Sequence, residues 1–578
     1  MKTNKKPRHG TAQHIKKTSP SYIQQLCDRH PLAASVFACL LVFAAGFFLI
    51  KNRYYINDDK AITGILSGQY GSASPKCIFV NQLLSYPLYL LFQLFPGFNW
   101  FYLLLQTICF ATCVTILYLI LTTDYQHRIY MGALFLAGVY MPLLSIMTFT
   151  TAAYFALITG LLLLTKYTII AEKFAPLPVA AGCFLVFLGI MVRRSLRNGS
   201  IPLFLLLLLL AAIAFVSKRK TAELKKSLKK MLIFCGCFIL SLAVAYSAWA
   251  LNDLAYASGE WEGFLAYNHE RSKLQDYPLQ TDNLSDVIAN VGMSENDYEM
   301  FAGFFHYNPE LYTPQCLEAL NNQNTPRPAM ARLRTALRRS IPEVSSLEKL
   351  NLSKIMFVLL CFMALLLAFQ DRKLETVLMC GSVIAFVKAS DVLFYFLGRK
   401  PERVSFCVVA FAFIVLIFLC IRAKMSFPRM NTAQCLIIIC AIIISLKGIN
   451  IMNDYSSAKA EIKTYIKQNP SSMFVIPAGT DISAQDNCWK PPEKIENMMP
   501  VGGWLSYSPM RSEVEKKFFP DKKLEAIVDK EDMYFIGTKQ NSESLKTYLK
   551  ERGFSDVKFN KVYTNGGLTV YSINSQPK

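Results

Sequence analysis

Two adjacent acidic residues, Asp58 and Asp59, follow the first long apolar run of the chain. Neighbouring carboxylates repel each other, so such a pair is typical of a site that binds a divalent cation or uses one carboxyl group as a general base. The same residues also suit the first turn of a helix over 59–67, where Asn57 or Asp58 would cap the helix. The local sequence leaves the catalytic, metal-binding and capping interpretations open.

Five arginines lie beside apolar runs, on the side where the charge pattern of the chain disfavours positive charge. Clustered guanidinium groups bind phosphate or pyrophosphate bidentately, so they indicate a site for an anionic lipid. The alternative is that their side chains extend to lipid headgroups without a specific ligand. The five residues are Arg193, Arg194, Arg197, Arg399 and Arg403.

Residues 259–278 mix aromatic, amide, acidic and basic side chains in one short segment. Such mixtures suit sugar binding, where aromatic faces stack on the ring and polar groups hold the hydroxyls. An interfacial helix with an aromatic belt would have the same composition. His269 is a candidate acid or base, although a lone histidine is more often structural. The candidate binding residues are Trp261, Tyr267, Asn268, His269 and Arg271.

Long apolar runs position all of these residues. The chain has 578 residues, of which 53% are hydrophobic, and its mean hydropathy is +0.30. Runs of roughly 20 apolar residues cross a bilayer, and in lipid they must be helical because backbone groups have no water to bond. The sequence predicts about eleven spans, at 31–50, 100–122, 130–147, 149–165, 176–192, 202–216, 231–250, 353–369, 376–397, 404–421 and 434–450.

The basic residues predict the orientation of these spans. The net charge is +21, and Lys and Arg concentrate in short segments between apolar runs, as the positive-inside rule requires for cytoplasmic loops. We therefore assign the positive charge to topology and anionic headgroups and expect no nucleic-acid partner. A span at 77–95 would place the dense basic cluster at 218–230 outside, so this segment is predicted to lie in the interface.

Three parts of the chain follow from this topology. Residues 1–30 are a basic cytoplasmic tail, and the first span is a retained anchor. Residues 31–450 form the membrane domain, with outer loops at 51–99 and 251–352. Residues 451–578 form a small extracytoplasmic α/β domain. The fold class is thus an α-helical polytopic protein of a cell membrane.

Several elements of the C-terminal domain are visible in the sequence. Helices are predicted at 458–468 and 544–552, and strands at 473–477 and 533–538. Residues 557–574 read as a hairpin around Asn565-Gly566-Gly567.

Known catalytic and metal motifs are absent from the sequence. It contains no Walker motif, no G-x-G-x-x-G before a helix, no H-E-x-x-H and no G-x-S-x-G, which argues against an ATP-driven pump or a serine hydrolase. The sixteen cysteines lack metal spacing. Cys316 and Cys488 lie outside the apolar runs and could form a disulfide.

The order of these features resembles the glycosyltransferase-C superfamily of polytopic membrane enzymes, such as the protein O-mannosyltransferases. The shared layout is a basic-flanked span, an outer loop with Asn57-Asp58-Asp59, an interface helix, short-looped spans and an extracytoplasmic C-terminal domain. The segment 56–100, with Leu66-Ser-Gly-Gln-Tyr-Gly and Pro96-Gly-Phe-Asn-Trp, is also similar to uncharacterised bacterial membrane proteins.

The resemblance implies transfer of a hexose or pentose from a polyprenyl-phosphate donor to a cell-envelope acceptor on the outer face. Asp58 and Asp59 would activate the acceptor hydroxyl or hold a cation such as Mg²⁺ or Mn²⁺, and the outer arginines would hold the donor phosphate. The acceptor motifs of the better-known branches are missing, so the acceptor stays open, as does the oligomeric state.

Two alternatives remain beside an enzyme. One is a transporter or flippase for an anionic lipid-linked substrate, and the other is a scaffold that displays the C-terminal domain. A transporter is expected to contain inverted repeats and broken helices near the midplane, and neither is evident. The large outer loop 251–352 favours the enzyme.

Overall fold

The computed structural model of the protein describes most of the chain. The described residues are 22–216, 221–277, 279, 281, 283–324, 328–341, 351–425, 431–453, 458–480, 482, 486–521, 523–554 and 556–575. Most of the predicted tail 1–30 and part of the basic cluster at 218–230 lie outside the described residues.

The described part of the chain is mostly helical. The helices are α1 (Tyr22–Arg29), α2 (Pro31–Leu49), α3 (Asn57–Ser67), α4 (Gln82–Leu94), α5 (Trp100–Leu121), α6 (Arg128–Phe135), α7 (Met141–Ser145), α8 (Phe149–Leu164), α9 (Pro176–Val192), α10 (Leu196–Val216), α11 (Thr221–Leu254), α12 (Glu260–Asp276), α13 (Leu284–Ala289), α14 (Glu295–Ala302), α15 (Pro314–Asn322), α16 (Ala329–Ser340), α17 (Leu352–Asp371), α18 (Leu374–Phe396), α19 (Glu402–Arg422), α20 (Asn431–Asn453), α21 (Ala458–Gln468), α22 (Ser512–Phe518) and α23 (Lys539–Glu551). Short π-helical segments, Leu136–Tyr140 and Thr165–Ile170, join α6 to α7 and extend α8.

Nine helical segments within the described residues are long and apolar enough to cross a membrane, which indicates a membrane-embedded protein. They are Pro31–Leu49, Trp100–Leu121, Arg128–Ser145, Phe149–Ile170, Leu196–Val216, Lys225–Leu254, Leu352–Asp371, Leu374–Phe396 and Glu402–Arg422. Two shorter apolar helices, Pro176–Val192 and Ile437–Ile451, coincide with the remaining predicted runs. The segment predicted to lie in the interface forms the 13-residue α4, which Asn81 caps by accepting from the Leu83 N–H.

Glycines bring α8 and α9 into backbone contact. A Cβ atom on Gly160 would lie 2.7 Å from the Gly182 carbonyl oxygen, and one on Gly189 would lie 2.6 Å from the Ala153 carbonyl oxygen. Small residues allow this approach between apolar helices, where close packing replaces the hydrophobic effect as the main attraction. The contact places the end of α9, and hence Arg193, beside the start of α8.

A five-stranded sheet forms the core of the C-terminal domain. The strands are β1 (Met473–Pro477), β2 (Met498–Val501), β3 (Met533–Gly537), β4 (Val557–Asn565) and β5 (Leu568–Ser575). Their order is β2-β1-β3-β5-β4, with β1 parallel to β2 and β3, and with β5 antiparallel to β3 and β4. The predicted strands and hairpin are confirmed, whereas β2 was not predicted. The helices at 458–468 and 544–552 are found as α21 and α23.

The C-terminal domain contacts one end of the helix bundle, which we call the domain end. Lys60 of α3 forms an ion pair with Asp486, with Nζ 2.9 Å from Oδ2. Asn99, the cap of α5, donates from Nδ2 to the Cys488 carbonyl at 2.7 Å and to the Tyr54 hydroxyl at 2.6 Å. Since Asn99 and Lys60 are buried, the first loop after α2 and the domain share a desolvated polar interface.

The close contact between α8 and α9 can be tested with two matched glycines. We expect Gly189→Val to lower the thermal midpoint of the purified protein by several degrees, because the added atoms overlap the backbone of α8. Gly236→Val in α11 is the control, since a Cβ atom there meets no atom within 4 Å. Equal midpoints for the two variants in a thermal-shift measurement would contradict the packing.

Candidate functional site

Asp59 is a buried acid that caps a helix other than its own. Its side chain lies on α3, and the residue is 3% exposed. Its Oδ1 accepts from the Phe149 N–H at 2.7 Å, which satisfies the first donor of α8. Burial raises the pKa of Asp59 to about 8, Asp58 adds to the rise, and the Phe149 N–H, Arg403 and Arg193 oppose it. At neutral pH this carboxyl group is therefore mostly protonated.

Asp58 lies in a different environment from its neighbour. Its side chain is 31% exposed, lines a cavity and faces Arg403, with Oδ2 3.5 Å from Nη2. Arg403 is in the first turn of α19, and its Nε is a buried donor without a partner among the described residues. Asp58 therefore offers an accessible carboxylate beside a guanidinium group that retains hydrogen-bonding capacity.

The cap prediction at the start of α3 is wrong. The N-cap residue is Ile56, whose side chain makes no capping hydrogen bond. Asp58 and Asp59 still lie in its first turn, where they interact favourably with the helix dipole. Their hydrogen bonds and ion pair nevertheless run to other elements, α8 and α19.

Arg193, directly after α9, is electrostatically coupled to both acids. Its guanidinium group donates to the Thr150 hydroxyl at 2.6 Å and to the Ser195 hydroxyl at 2.9 Å, and lies 4.8 Å from the centre of the Phe149 ring. It is close enough to Asp59 to lower the pKa of that carboxyl group. In the described residues it has no carboxylate within salt-bridge distance.

The other three predicted arginines have different partners. Arg194 forms a bidentate pair with Asp253, with both N–O distances 2.7 Å. Arg399 lies 2.6 Å from Asp276, and Arg197 stacks 4.9 Å from the Tyr246 ring centre. Two of these three arginines, Arg194 and Arg399, are thus paired with carboxylates of other elements.

Helix α12 brings part of its predicted binding set towards the acids. Arg271 is buried, donates to the Asn268 side chain from two nitrogens at 2.7 and 3.0 Å, and is electrostatically coupled to Asp58. Tyr267 is also buried, and its hydroxyl lies 2.8 Å from His306 Nε2.

The other two residues of the predicted binding set, His269 and Trp261, lie apart from this group. The His269 side chain is 69% exposed and lies 3.7 Å from Glu270. Trp261 packs against Tyr256, and the Lys76 ammonium group lies 5.1 Å from its ring centre.

A buried histidine that the sequence did not single out lies behind α12. Burial, with the nearby Arg271 charge as a second cause, lowers the pKa of His306 to about 3, so its imidazole is neutral at neutral pH. Its Nδ1 has no partner among the described residues. No local motif marks His306, because its partner Tyr267 lies 39 positions away.

A cavity of about 540 Å³ opens between α3 and the C-terminal domain. Asp58 and Lys60 line it from α3, and Ala478 and Thr480 line it where β1 ends. Ligands of sheets with parallel strands commonly bind outside the carboxyl ends of those strands. The predicted strand 473–477 marks the turn that follows it, but β2, the neighbouring parallel strand, was not predicted.

The surroundings of the two acids fit a divalent cation poorly. Mg²⁺ and Mn²⁺ prefer about six oxygen ligands, whereas here positively charged guanidinium groups lie near both acids. Among the described residues no three His, Cys, Asp or Glu side chains form a metal-binding group. The metal assignment to Asp58 and Asp59 stays a prediction.

The disulfide considered for the C-terminal half of the chain is not formed. Cys316 and Cys488 are both free thiols. Cys316 packs beside α12 and α14, and Cys488 is buried against the membrane helices.

The protonation of Asp59 predicts a pH-dependent stability. The folded state keeps a proton that the unfolded chain releases above about pH 4, so stability falls as the pH rises from about 4 to 8. The slope for one proton is at most about 1.4 kcal/mol per pH unit. We expect thermal midpoints measured between pH 5.5 and 7.5 to decline less in Asp59→Asn than in the wild type. The exposed Asp124→Asn is the control, and equal slopes in wild type and Asp59→Asn would refute the buried proton.

Comparison with known proteins leaves the site to be interpreted from its own geometry. No family model, no curated protein and no solved structure matches the chain.

Proposed function

We propose that this protein is a membrane glycosyltransferase that moves a sugar from a polyprenyl-phosphate donor to a hydroxyl group of a cell-envelope acceptor. The observation that supports it best is the grouping of Asp58 and Asp59 with Arg193 and Arg403 at the domain end. The acids could transfer a proton and the arginines could bind a phosphate group. Sugar transfer from a lipid phosphate requires both functions in one site.

Two unpaired buried atoms support a ligand at this site. They are Asp59 Oδ2 and Arg403 Nε, and neither has a partner among the described residues. A buried polar atom left unpaired costs about 1–3 kcal/mol, so such atoms are usually satisfied by a ligand or by water. A phosphate oxygen would accept from Arg403 Nε, and the protonated Asp59 carboxyl group would donate to another.

The charge balance also favours an anionic donor. Three guanidinium groups, those of Arg193, Arg271 and Arg403, are electrostatically coupled to two acids, of which Asp59 is mostly neutral. Arg193 and Arg403 lie at the ends of the apolar helices α9 and α19. A lipid phosphate at this level would leave its prenyl chain in the membrane.

The cavity beside Asp58 is the proposed acceptor site. Its volume lies within the range of small-molecule pockets, and Tyr70, Phe304 and Trp504 supply aromatic faces on which sugar rings can stack. Lys60 and Thr480 add polar groups for hydroxyls. An acceptor in this cavity could present its hydroxyl to Asp58, the lining acid that lies beside Arg403.

In the proposed step the acceptor oxygen attacks the anomeric carbon while the bond from that carbon to the phosphate oxygen breaks. The Asp58 carboxylate takes the acceptor proton, and the departing polyprenyl phosphate keeps the bonding electrons. Arg193 and Arg403 stabilise the charge that develops on the phosphate. The protonated Asp59 carboxyl group donates to a phosphate oxygen and adds no negative charge that would repel the donor.

The proposed orientation places the domain end outside the cytoplasm. Basic side chains lie at the opposite end of the helices, as the positive-inside rule requires of a cytoplasmic face. They include Lys166, Lys230, Arg372 and Lys373. A donor that faces outward is consistent with a sugar carried on a lipid phosphate.

The enzymatic proposal is tested with radiolabelled polyprenyl-phosphate sugars and purified protein in cell-envelope lipids. We expect Asp58→Asn to lower turnover by roughly 10²–10⁴-fold, because the general base is lost. Arg193→Gln and Arg403→Gln should chiefly raise the donor KM, because each removes a phosphate contact. The matched control is Arg372→Gln, because Arg372 is exposed and follows α17 at the opposite end of the helices.

Two outcomes would oppose this assignment. Transfer that survives Asp58→Asn would keep an enzyme but reject Asp58 as the base. With a folded wild-type protein, no transfer from any donor would move the proposal to a transporter of the lipid-linked substrate, which can be followed by movement of the labelled lipid across vesicles.

Blocking the cavity tests the acceptor site separately from the donor site. We expect Thr480→Trp to raise the acceptor KM about tenfold or more, because the indole occupies space at the end of β1. Release of sugar to water should persist, since the donor contacts are unchanged. Thr547→Trp on the exposed face of α23 is the control, and an unaltered acceptor KM in Thr480→Trp would place the acceptor elsewhere.

A further inference from the structure

Helix α16 is a basic amphipathic helix in the long loop between α11 and α17. Its twelve residues include four arginines, Arg332, Arg334, Arg338 and Arg339, and no acid. At 100° per residue, the remaining large side chains Met330, Leu333 and Leu337 fall on one side of the helix. The sequence thus separates a narrow apolar stripe from a basic flank.

One face of α16 is occupied by α18, a helix of membrane length. The Arg332 guanidinium group lies 4.4 Å from the centre of the Phe396 ring, and the Ser340 carbonyl accepts from Lys388 Nζ at 2.9 Å. Ala336 lies between these contacts and is buried. Arg332, Ala336 and Ser340 share one face of α16. Because the earlier residue Arg332 meets Phe396 and the later residue Ser340 meets Lys388, α16 runs antiparallel to the last turns of α18.

The apolar stripe borders this contact and is left uncovered. Met330 is 75% exposed, Leu337 is 50% exposed and Ile341, directly after the helix, is 68% exposed. By helical geometry the stripe lies between the face that packs on α18 and a flank that carries Arg334 and Arg338. Within the part of the chain that the structure describes, neither arginine forms an ion pair.

We propose that α16, packed alongside the last turns of α18 at the domain end, contacts the membrane surface there and binds anionic phospholipids. Its stripe enters the acyl region beside α18, and Arg334 and Arg338 bind the headgroup phosphates. The apolar stripe adjoins the apolar helix α18, and this contact sets the depth of α16 in the membrane. Because α16 contains arginines and no acid, it should prefer anionic lipids. This inference does not depend on the proposed sugar transfer.

The basic flank of α16 distinguishes binding of anionic lipid from the general tendency of arginine side chains to extend towards lipid headgroups. A single arginine at a membrane surface gains little specificity, whereas two on one flank of an amphipathic helix add their attraction to a negatively charged surface. The attraction is electrostatic, so it should weaken with salt. Binding of the stripe alone should depend on neither salt nor headgroup charge.

Hydrogen exchange in nanodiscs tests the proposal on the full chain. The discs contain phosphatidylcholine with or without phosphatidylglycerol, and the readout is the protection of amides in 329–340. We expect phosphatidylglycerol to raise protection, and Arg334→Gln/Arg338→Gln to lower that gain by roughly fivefold per arginine. Lys539→Gln/Lys550→Gln on α23 removes the same charge away from the membrane helices and should keep the gain.

A second variant separates the stripe from the flank. Leu333→Ser/Leu337→Ser should lower protection in both kinds of disc while the response to phosphatidylglycerol persists. Protection that is equal in the two kinds of disc for the wild type would overturn the proposal, because α18 alone would then explain it. A gain that survives loss of both arginines would overturn the assigned phosphate contacts.

Discussion

The hydrogen bond from the Phe149 N–H to the Asp59 carboxyl group is the interaction on which the site depends. The first turn of α8 has an N–H group that lacks a partner within its own helix, and the buried acid of α3 needs a donor, so each satisfies the other. Because α8 contacts α9 through glycines, fixing the start of α8 also fixes Arg193 at the end of α9. The distance between acid and arginine is thus set by backbone packing.

Three consecutive residues of α3 serve three different partners. Side chains one residue apart on a helix diverge by about 100°. Asp58 accordingly faces the cavity and Arg403, Asp59 faces the buried start of α8, and Lys60 pairs with Asp486 of the C-terminal domain. The two acids therefore differ in environment although they are adjacent, since Asp58 is partly exposed beside Arg403, whereas burial raises the pKa of Asp59.

The sequence predicted those parts of the fold that depend on local patterns. Apolar runs located the membrane-length helices, and alternation with turn glycines located β1, β3 and the β4–β5 hairpin. It missed β2, whose four residues Met498–Val501 are too short for a pattern and acquire their conformation by pairing with β1. For the candidate site, it singled out Asp58, Asp59, Arg193 and Arg403, which the structure brings close together. It also singled out His269 and not His306, since sequence position shows neither that His269 is exposed nor that His306 is buried.

The partners of the five arginines at the domain end explain why the number of positive charges there does not by itself locate a phosphate site. A guanidinium group paired with a carboxylate, as in Arg194 with Asp253 and Arg399 with Asp276, joins two elements and has little attraction left for an anion. Arg193 instead donates to neutral hydroxyls and keeps its charge. Arg403 Nη2 lies 3.5 Å from Asp58 Oδ2, and the buried Arg403 Nε has no hydrogen-bond acceptor among the described residues. Arginines that are alike in the sequence therefore differ in the attraction that each has left for an anion, and residue type alone would assign all five the same role.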